Sequence, residues 1–598
     1  MSPIPPAAST PSDLGARPPT PASARTQAVQ LLGFGLLAVA LMLPQADPPW
    51  PSFWREWLAG IAMWLVLLSQ WSRRRDLGLG LGGESLPAAL VCGGLIVLAL
   101  GQKAVGLTRY WMDVWTLALA VAGFLLSFVS CQGLPQDERE AMADRLAAAW
   151  LLPALASAGV AWLQWVGVLT LELGASLQWV RPYGWMEQPN LLCTLMLQGM
   201  IGAWRLQARG RLQAALALGL AVILGATAAL SQARMGMLVM LLLWGVLAWH
   251  AVGASRGRVP RASWVGLAVL SLVYLLAAWA VDRVQHQMAG DAFDAVKHLR
   301  DGSRLQVWRL FADAVLQKPW TGWGVQGNGA AQYANALTHP ILPGAHSSGH
   351  NLLLDLAVWF GVLPSLVVGA WLAIVALPPL LGRQRPWPAV ILACSAMALL
   401  VHGMLELPLH YLFVLWPLGL ILGLGVTPRR PAAVARAQAP TAVMGGLAVG
   451  GLVIAAVLAH QWPIEAEARP LLDIDMATGN VYLQSHDPPA GLPLFDALED
   501  LNRFGALPLG APLTPEARAL VERVTQRYPR GFYLERAAML EGLAGDAEGA
   551  SDRLRHMARM QPHDVCVALE RGWRIWRKKS PVLPPWPAGA CVKPGDGA

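Results

Sequence analysis

At 598 residues, 55% hydrophobic and only 14% charged, the chain falls well below the roughly 25% charged share of soluble domains and reads as an integral membrane protein. Its net charge of +8 is no nucleic-acid footprint, because the basic residues cluster in short loops between apolar runs. The six cysteines show no metal-type spacing.

Residues 1–27 are rich in Pro, Ala, Ser and Thr and lack an apolar core, the composition of a disordered segment. The first apolar run is followed by many more, so it is read as an anchor and not as a cleavable signal peptide. About thirteen runs long enough to span as helices follow, near 28–44, 53–71, 86–102, 111–130, 148–169, 189–206, 212–230, 235–253, 263–281, 350–379, 387–404, 408–425 and 441–460. Arg73, Arg74 and Arg75 follow the second run, and Arg205, Arg209 and Arg211 the sixth. Arg256, Arg258 and Arg261 follow the eighth, Arg383 and Arg385 the tenth, and Arg429, Arg430 and Arg436 the twelfth. Basic loops favour the cytoplasm, and each of these follows an even-numbered run. The N-terminus is therefore expected inside and the C-terminus in the periplasm. The inner loop Gln136–Arg145 is acidic and dissents, but acidic residues weigh little in this rule. The 28 tryptophans suit interfacial belts more than carbohydrate stacking.

The expected fold is all-α: a polytopic bundle over 28–460 with a large periplasmic loop at 282–349, then a small helical periplasmic domain over 461–598. In that tail Pro515–Pro529 and Asp546–Pro562 read as amphipathic helices closed by proline. Tyr533–Pro562 resembles a tetratricopeptide-type helix pair, a module suited to partner or acceptor contact. Cys92, Cys193 and Cys394 lie inside apolar runs and Cys131 ends another. Cys566 and Cys591 become a plausible pair only in a tail outside the cytoplasm.

The unusual polar residues gather on the predicted outer face. Arg181-Pro-Tyr-Gly-Trp-Met-Glu-Gln188-Pro189-Asn190 precedes the sixth run, and Arg234 lies in the short turn before the eighth. Arg304 lies in the large loop, His350 and Asn351 open the tenth run, and His402, Glu406 and His410 surround the turn after the eleventh. Each has a bland reading. Arg234 can snorkel to headgroups, Gln188 and Asn190 flank a proline at a helix start, and His350 can be a helix-terminus histidine. Asp355 reads as a buried structural carboxylate. His402, Glu406 and His410 recur at four-residue spacing, which on a continuous helix would suggest a metal, but Pro408 argues against continuity. Their gathering on one membrane face favours function. Guanidinium forks bind phosphates, so two or three arginines suit a lipid-linked diphosphate. An imidazole, titrating near neutrality, can take a proton from an attacking hydroxyl. No Walker-type phosphate-binding loop is present.

These residues resemble the O-antigen ligase superfamily, and within it the bacterial protein O-oligosaccharyltransferases that glycosylate pilins. Arg181-Pro-Tyr-Gly…Gln188-Pro-Asn190 resembles the branch's RPFG…GQPNHLA signature, and Ser231-x-x-Arg234-x-Gly is similar to the superfamily's Ser-Arg-Gly turn displaced by one residue. His350-Asn351 resembles its catalytic-loop histidine, and Glu406-x-Pro408-Leu409 its E-P-L turn. Leu191 stands where the branch usually has histidine, and Met186-Glu187 replaces a glycine-containing turn. The resemblance implies an inner-membrane enzyme, without metal or cofactor, that transfers a glycan en bloc from polyprenyl (undecaprenyl) diphosphate to Ser or Thr of a periplasmic protein such as pilin. His350 and Arg234 would be catalytic. Arg181, Gln188, Asn190, Arg304, Asn351, His402 and Glu406 would bind the diphosphate or glycan. Two alternatives stand: an O-antigen ligase or polymerase using a sugar hydroxyl, and a flippase or transporter, which should carry polar groups near the midplane.

Overall fold

The computed structural model describes residues 21–44, 52–76, 84–132, 134–169, 181–252, 259–289, 303–342, 344–426, 441–468, 471–475, 480–484 and 494–591. Residues 1–20 of the expected disordered N-terminus, and Arg256, Arg258, Arg429, Arg430 and Arg436, lie outside the described residues.

A helix stands at each predicted run. The first nine are α1 (Pro21–Ala40), α2 (Phe53–Asp76), α3 (Ser85–Ala104), α4 (Trp111–Ser130), α5 (Gln136–Trp165), α6 (Pro189–Ala208), α7 (Ala214–Leu230), α8 (Arg234–Ala251) and α9 (Arg261–Ala289). The large loop contributes α10 (Ser303–Gln317) and α11 (Asn328–Asn335). Then come α12 (Leu352–Phe360), α13 (Val362–Leu381), α14 (Trp387–Gly403), α15 (Leu412–Gly425) and α16 (Thr441–Ala468). By length and composition α3, α4, α5, α8, α9 and α13 can each cross a membrane, and further apolar helices are shorter. One large core runs from Phe34 and Leu37 of α1 to Leu418 and Ile421 of α15. Small residues let helices approach: a Cβ on Gly423 of α15 would stand 2.2 Å from the Phe128 carbonyl of α4.

Two elements depart from expectation. The acidic segment 136–145 is the first part of α5 and not a loop. Its carboxylates neutralise the arginines of neighbouring ends, with Arg73–Glu138 at 2.6 Å, Arg205–Glu140 at 2.5 Å and Arg205–Asp144 at 3.1 Å. Arg139, in the same segment, donates to the carbonyls of Leu424 and Val426, and Arg385 to that of Gly425. The ends following the second, fourth, sixth, tenth and twelfth runs thus meet at one end of the bundle. The dissenting acidic segment is the counter-charge of the basic ends.

The second departure is the run 350–379, which breaks into α12 and α13 at Gly361 (φ +89°). Only glycine fits there, because a Cβ would stand 2.6 Å from the Pro319 carbonyl and 2.8 Å from Trp320.

The tail holds a two-stranded antiparallel hairpin, β1 (Leu471–Asp475) and β2 (Asn480–Gln484), with Leu471 opposite Gln484. Apart from this hairpin the described regular elements are helical, in keeping with the all-α expectation. It continues as α17 (Asp496–Ala506), α18 (Pro515–Arg527), α19 (Gly531–Leu543), α20 (Ala547–Arg559) and α21 (His563–Lys579). Thr514 caps α18 and Asp546 caps α20 through their side-chain oxygens, as polar residues ahead of amphipathic runs should. Cys566 and Cys591 are joined by a disulfide.

The tail is docked on the end of the bundle opposite the arginine-rich one. The Asp496 carboxylate accepts from the Trp111 and Met112 amides at the start of α4 (2.7 and 2.9 Å), and Arg527 pairs with Asp113 at 3.0 Å. The same domain grips the large loop. The Tyr333 and His556 rings stack at 3.9 Å, and the Gly344 amide donates to the Met560 carbonyl.

Candidate functional site

Three segments far apart in sequence converge at this second end. The first is the loop into α6. Gly184 (φ +55°) could not carry a Cβ, which would meet Ser157 Oγ at 2.4 Å. The Gln164 side-chain oxygen accepts from the Tyr183 and Gly184 amides, and Ser157 Oγ from the Trp185 amide. Arg55 of α2, buried, donates to the carbonyls of Leu43 and Trp185 and pairs with Glu187 at 3.1 Å. Glu187 is itself held at φ +60°. Pro189 then opens α6, with Gln188 extended at its N-cap and making no side-chain cap bond.

The second segment carries His350, also in left-handed backbone (φ +53°). Asp355, one turn into α12 and 1% exposed, holds this loop. Its oxygens accept from Ser348 Oγ (2.5 Å), the Gly349 amide (2.6 Å) and Asn328 Nδ2 of α11 (2.8 Å). Ser348 Oγ in turn accepts from the His350 amide, and Trp359 Nε1 donates to Asn328. Asn351 caps α12 by accepting from the amides of Leu353 and Leu354, and its amide group donates to the Met404 carbonyl. A left-handed, non-glycine histidine is strained by order 1–3 kcal/mol and persists only where its surroundings over-determine it. The Asp355 network supplies that constraint. Asp355→Asn presents a donor where a donor already points, and should cost about 2 kcal/mol locally, read as about thirtyfold faster hydrogen exchange in the 344–351 segment.

The third segment is the turn between α14 and α15, and Glu406 is the hub. One carboxylate oxygen accepts from Asn190 Nδ2 (2.9 Å) and from Arg304; the other meets His350 Nδ1 at 2.7 Å. Arg181 donates through Nη2 to Asn190 Oδ1 (3.1 Å) and through Nε to the Ser231 carbonyl (2.6 Å). Glu406 is 7% exposed, whereas His350 and Arg304 are 27% and 38% exposed. The carboxylate is therefore the buried partner, and the imidazole and the guanidinium reach outward. Burial alone would raise the Glu406 pKa. The hydrogen bond from His350 and the charge of Arg304 outweigh it, so the group is held below the ordinary carboxylate value.

An ionised carboxylate only accepts, so His350 Nδ1 carries the proton in this bond. The neutral ring then has its lone pair on Nε2, which among the described residues makes no hydrogen bond.

Some predicted site residues stand apart from this hub. His402 is fully buried, with Nδ1 2.5 Å from Thr194 Oγ1. His410 lies 3.5 Å from Asp355. A 3₁₀ turn over Pro408–His410 ends the helical register, so His402, Glu406 and His410 take three different partners. Gln188 is half-buried beside Asn190 without a side-chain bond among the described residues. Arg234 begins α8, exposed and, among the described residues, without a side-chain partner. Its turn is tied to the site, since Arg181 bonds Ser231 and Gln232 adopts φ +52°.

Sequence reasoning missed Arg55, Glu187 and Asn328. Arg55 and Glu56 did signal: an ionised pair entering an apolar run needs buried partners. Beneath the site an apolar cavity of about 170 Å³ lies between α3, α4, α12, α13 and α15, with Asp355 and His410 at one end and Phe124, Trp371 and Leu418 along its wall.

With this geometry in view, the likeness to known proteins is informative. Residues 219–369 match the family described as O-antigen ligase, and residues 390–565 match the C-terminal region of the virulence factor membrane-bound polymerases. The first match covers Arg234, Arg304 and His350, and the second His402, Glu406 and the tail helices through α20. A general O-oligosaccharyltransferase of Acinetobacter baylyi is 23% identical over 551 residues, covering 90% of this chain and 93% of that protein. A ComP-specific O-oligosaccharyltransferase of the same organism is 23% identical over 205 residues, 30% of this chain and 37% of that one. The chain thus carries a segment that matches the O-antigen ligase family, and along 90% of its length it is similar to a general O-oligosaccharyltransferase.

Proposed function

We propose that the chain transfers an oligosaccharide en bloc from a polyprenyl diphosphate to a serine or threonine hydroxyl of a periplasmic protein, with pilin as the model acceptor. The observation that carries this reading is Glu406, which gathers His350, Arg304 and Asn190 at one end of the bundle. In this reading the bundle (28–460) sits in the bacterial inner membrane with its N-terminus cytoplasmic. The loop 282–349 and the tail 461–598 face the periplasm.

The chemistry follows from the side chains. An arriving diphosphate competes with Glu406 for Arg304, and Arg181 and the exposed Arg234 add charge at the same rim. Gln188 and Asn190 offer amides, and Asn351 fixes the turn that carries Glu406. His402 braces α14 against α6 from within. His350 Nε2 accepts the acceptor's hydroxyl proton as its oxygen forms a bond to the anomeric carbon from the face opposite the diphosphate. The bond from anomeric carbon to phosphate oxygen breaks, its electron pair leaves with polyprenyl diphosphate, and the configuration inverts. Charge stabilisation comes from guanidinium groups and proton transfer from the imidazole, a sequence that calls on no metal or cofactor. The apolar cavity beside Asp355 suits an isoprenoid chain.

The test is to co-express the chain with a lipid-linked glycan pathway and a pilin, then weigh the intact pilin. A mass increase of one whole glycan is expected. An unmodified pilin alongside longer surface polysaccharide would instead favour the ligase or polymerase reading, in which a sugar hydroxyl is the acceptor.

A further inference from the structure

The helix that carries Arg304 has an apolar edge that the protein leaves uncovered. On α10, Val307, Leu310, Phe311 and Ala314 are buried against the bundle side. Along the opposite edge, Leu305, Leu316 and, just beyond the helix, Trp320 are 51%, 73% and 78% exposed. At 100° per residue, Leu305 and Leu316 lie within about 20° of each other, while Gln306 and Gln317 stand about 100° away. The helix therefore has an apolar flank and a polar flank, both outside the core.

Its depth is fixed by hydrogen bonds to helices that cross the bilayer. The side-chain amide of Gln102, near the end of α3, donates to the Thr321 carbonyl (2.9 Å), and the Val362 amide at the start of α13 donates to the Pro319 carbonyl (2.8 Å). Trp320 therefore lies level with the outer ends of α3 and α13. Near those ends Leu98 of α3, Val105 just after it, and Leu363 and Leu366 of α13 are exposed, apolar surface at the same level as the free flank of α10. Indole and long cationic side chains favour this depth, and the exposed Arg309 stands about 20° from Leu316 on the helix.

We propose that α10 is an interfacial helix whose Leu305–Leu316–Trp320 edge is seated in the outer lipid leaflet, so that the bilayer itself holds Arg304 at phosphate depth. An interfacial helix sinks its apolar face by about 5–10 Å into the headgroup and acyl boundary, which is where the phosphates of a lipid-linked donor reside. The consequence for Arg304 rests on the transferase reading; the lipid contact does not.

The experiment uses the full chain in nanodiscs. The free cysteines, Cys92, Cys131, Cys193 and Cys394, are buried and Cys566 is bonded to Cys591, so a thiol dye will report an introduced cysteine. Leu316→Cys and Gln317→Cys are each labelled with bimane, in phosphatidylcholine with plain or brominated tails. Quenching by bromine should be about threefold stronger at Leu316→Cys than at its neighbour. Equal quenching, or stronger quenching at Gln317→Cys, overturns the proposal. So does a Leu316→Cys label that is shielded only when acceptor protein is added, which would make the flank an acceptor surface. The readout needs no transferase activity, so a protein that transfers no glycan can still confirm or refute the lipid contact.

Discussion

His350→Asn should abolish glycan transfer while the protein still inserts and folds. General acid–base catalysis is worth about 10²–10⁴-fold, and the loss should fall in that range or below detection. Asparagine is the informative replacement because position 350 has φ +53°, a region that asparagine tolerates and alanine does not. His350→Ala would add backbone strain to the loss of the imidazole and blur the result. The side chain's one described hydrogen bond goes to Glu406, so little of the fold depends on it. The check is intact mass of the pilin after co-expression, with membrane abundance of the variant measured alongside. Normal pilin glycosylation in His350→Asn would remove the imidazole from the reaction and leave it as a structural partner of Glu406.

Much of this site could be read from the sequence because its physics is local. His350-Asn351 reads as a helix mouth, since Asn351 accepts from two first-turn amides. Gln188-Pro189-Asn190 reads as another, with proline in the first turn of α6. The bundle was legible for the same reason: apolar runs must become helices where water is absent. What stayed hidden depends on tertiary partners. Arg304 and Glu406 lie 102 residues apart, and no periodicity links them. Arg55 reaches Trp185 across 130 residues. The break at Gly361 falls in an unbroken apolar run and exists because the Pro319–Trp320 backbone occupies the space a side chain would need. Spacing alone grouped His402, Glu406 and His410, whereas the turn at Pro408 sends each to a different neighbour. Arg234 was placed at the right end of the bundle, but the structure leaves it exposed at the rim, apart from the hub around Glu406.

Glu406→Gln should reduce transfer nearly as far as loss of the imidazole does, with little change in overall shape. The glutamine oxygen can still accept from Asn190 or Arg304, but its amide group then faces His350 Nδ1, a position now filled by an acceptor. A donor there selects the tautomer with Nδ1 unprotonated, which moves the ring proton to Nε2, the atom proposed to receive the acceptor's proton. The neutral ring is then the wrong tautomer for a base, and a fall of about 10²-fold or more is expected. Arg304 loses its ion pair in the same variant, but as a partly exposed cation it contributes little to stability. The acid side of the pH profile gives a second check. Because His350 and Arg304 hold the Glu406 pKa below its ordinary value of 4.5, its contribution is present above that value and lost only as pH falls through the lowered one. A decline in wild-type transfer between pH 7 and 5 should therefore reflect other groups, and Glu406→Asp, which keeps the charge, should retain more activity than Glu406→Gln at every pH in that window. Equal activities for the two variants would mean that the charge on residue 406 does not set the tautomer of His350, and the proton-transfer step would need a different base.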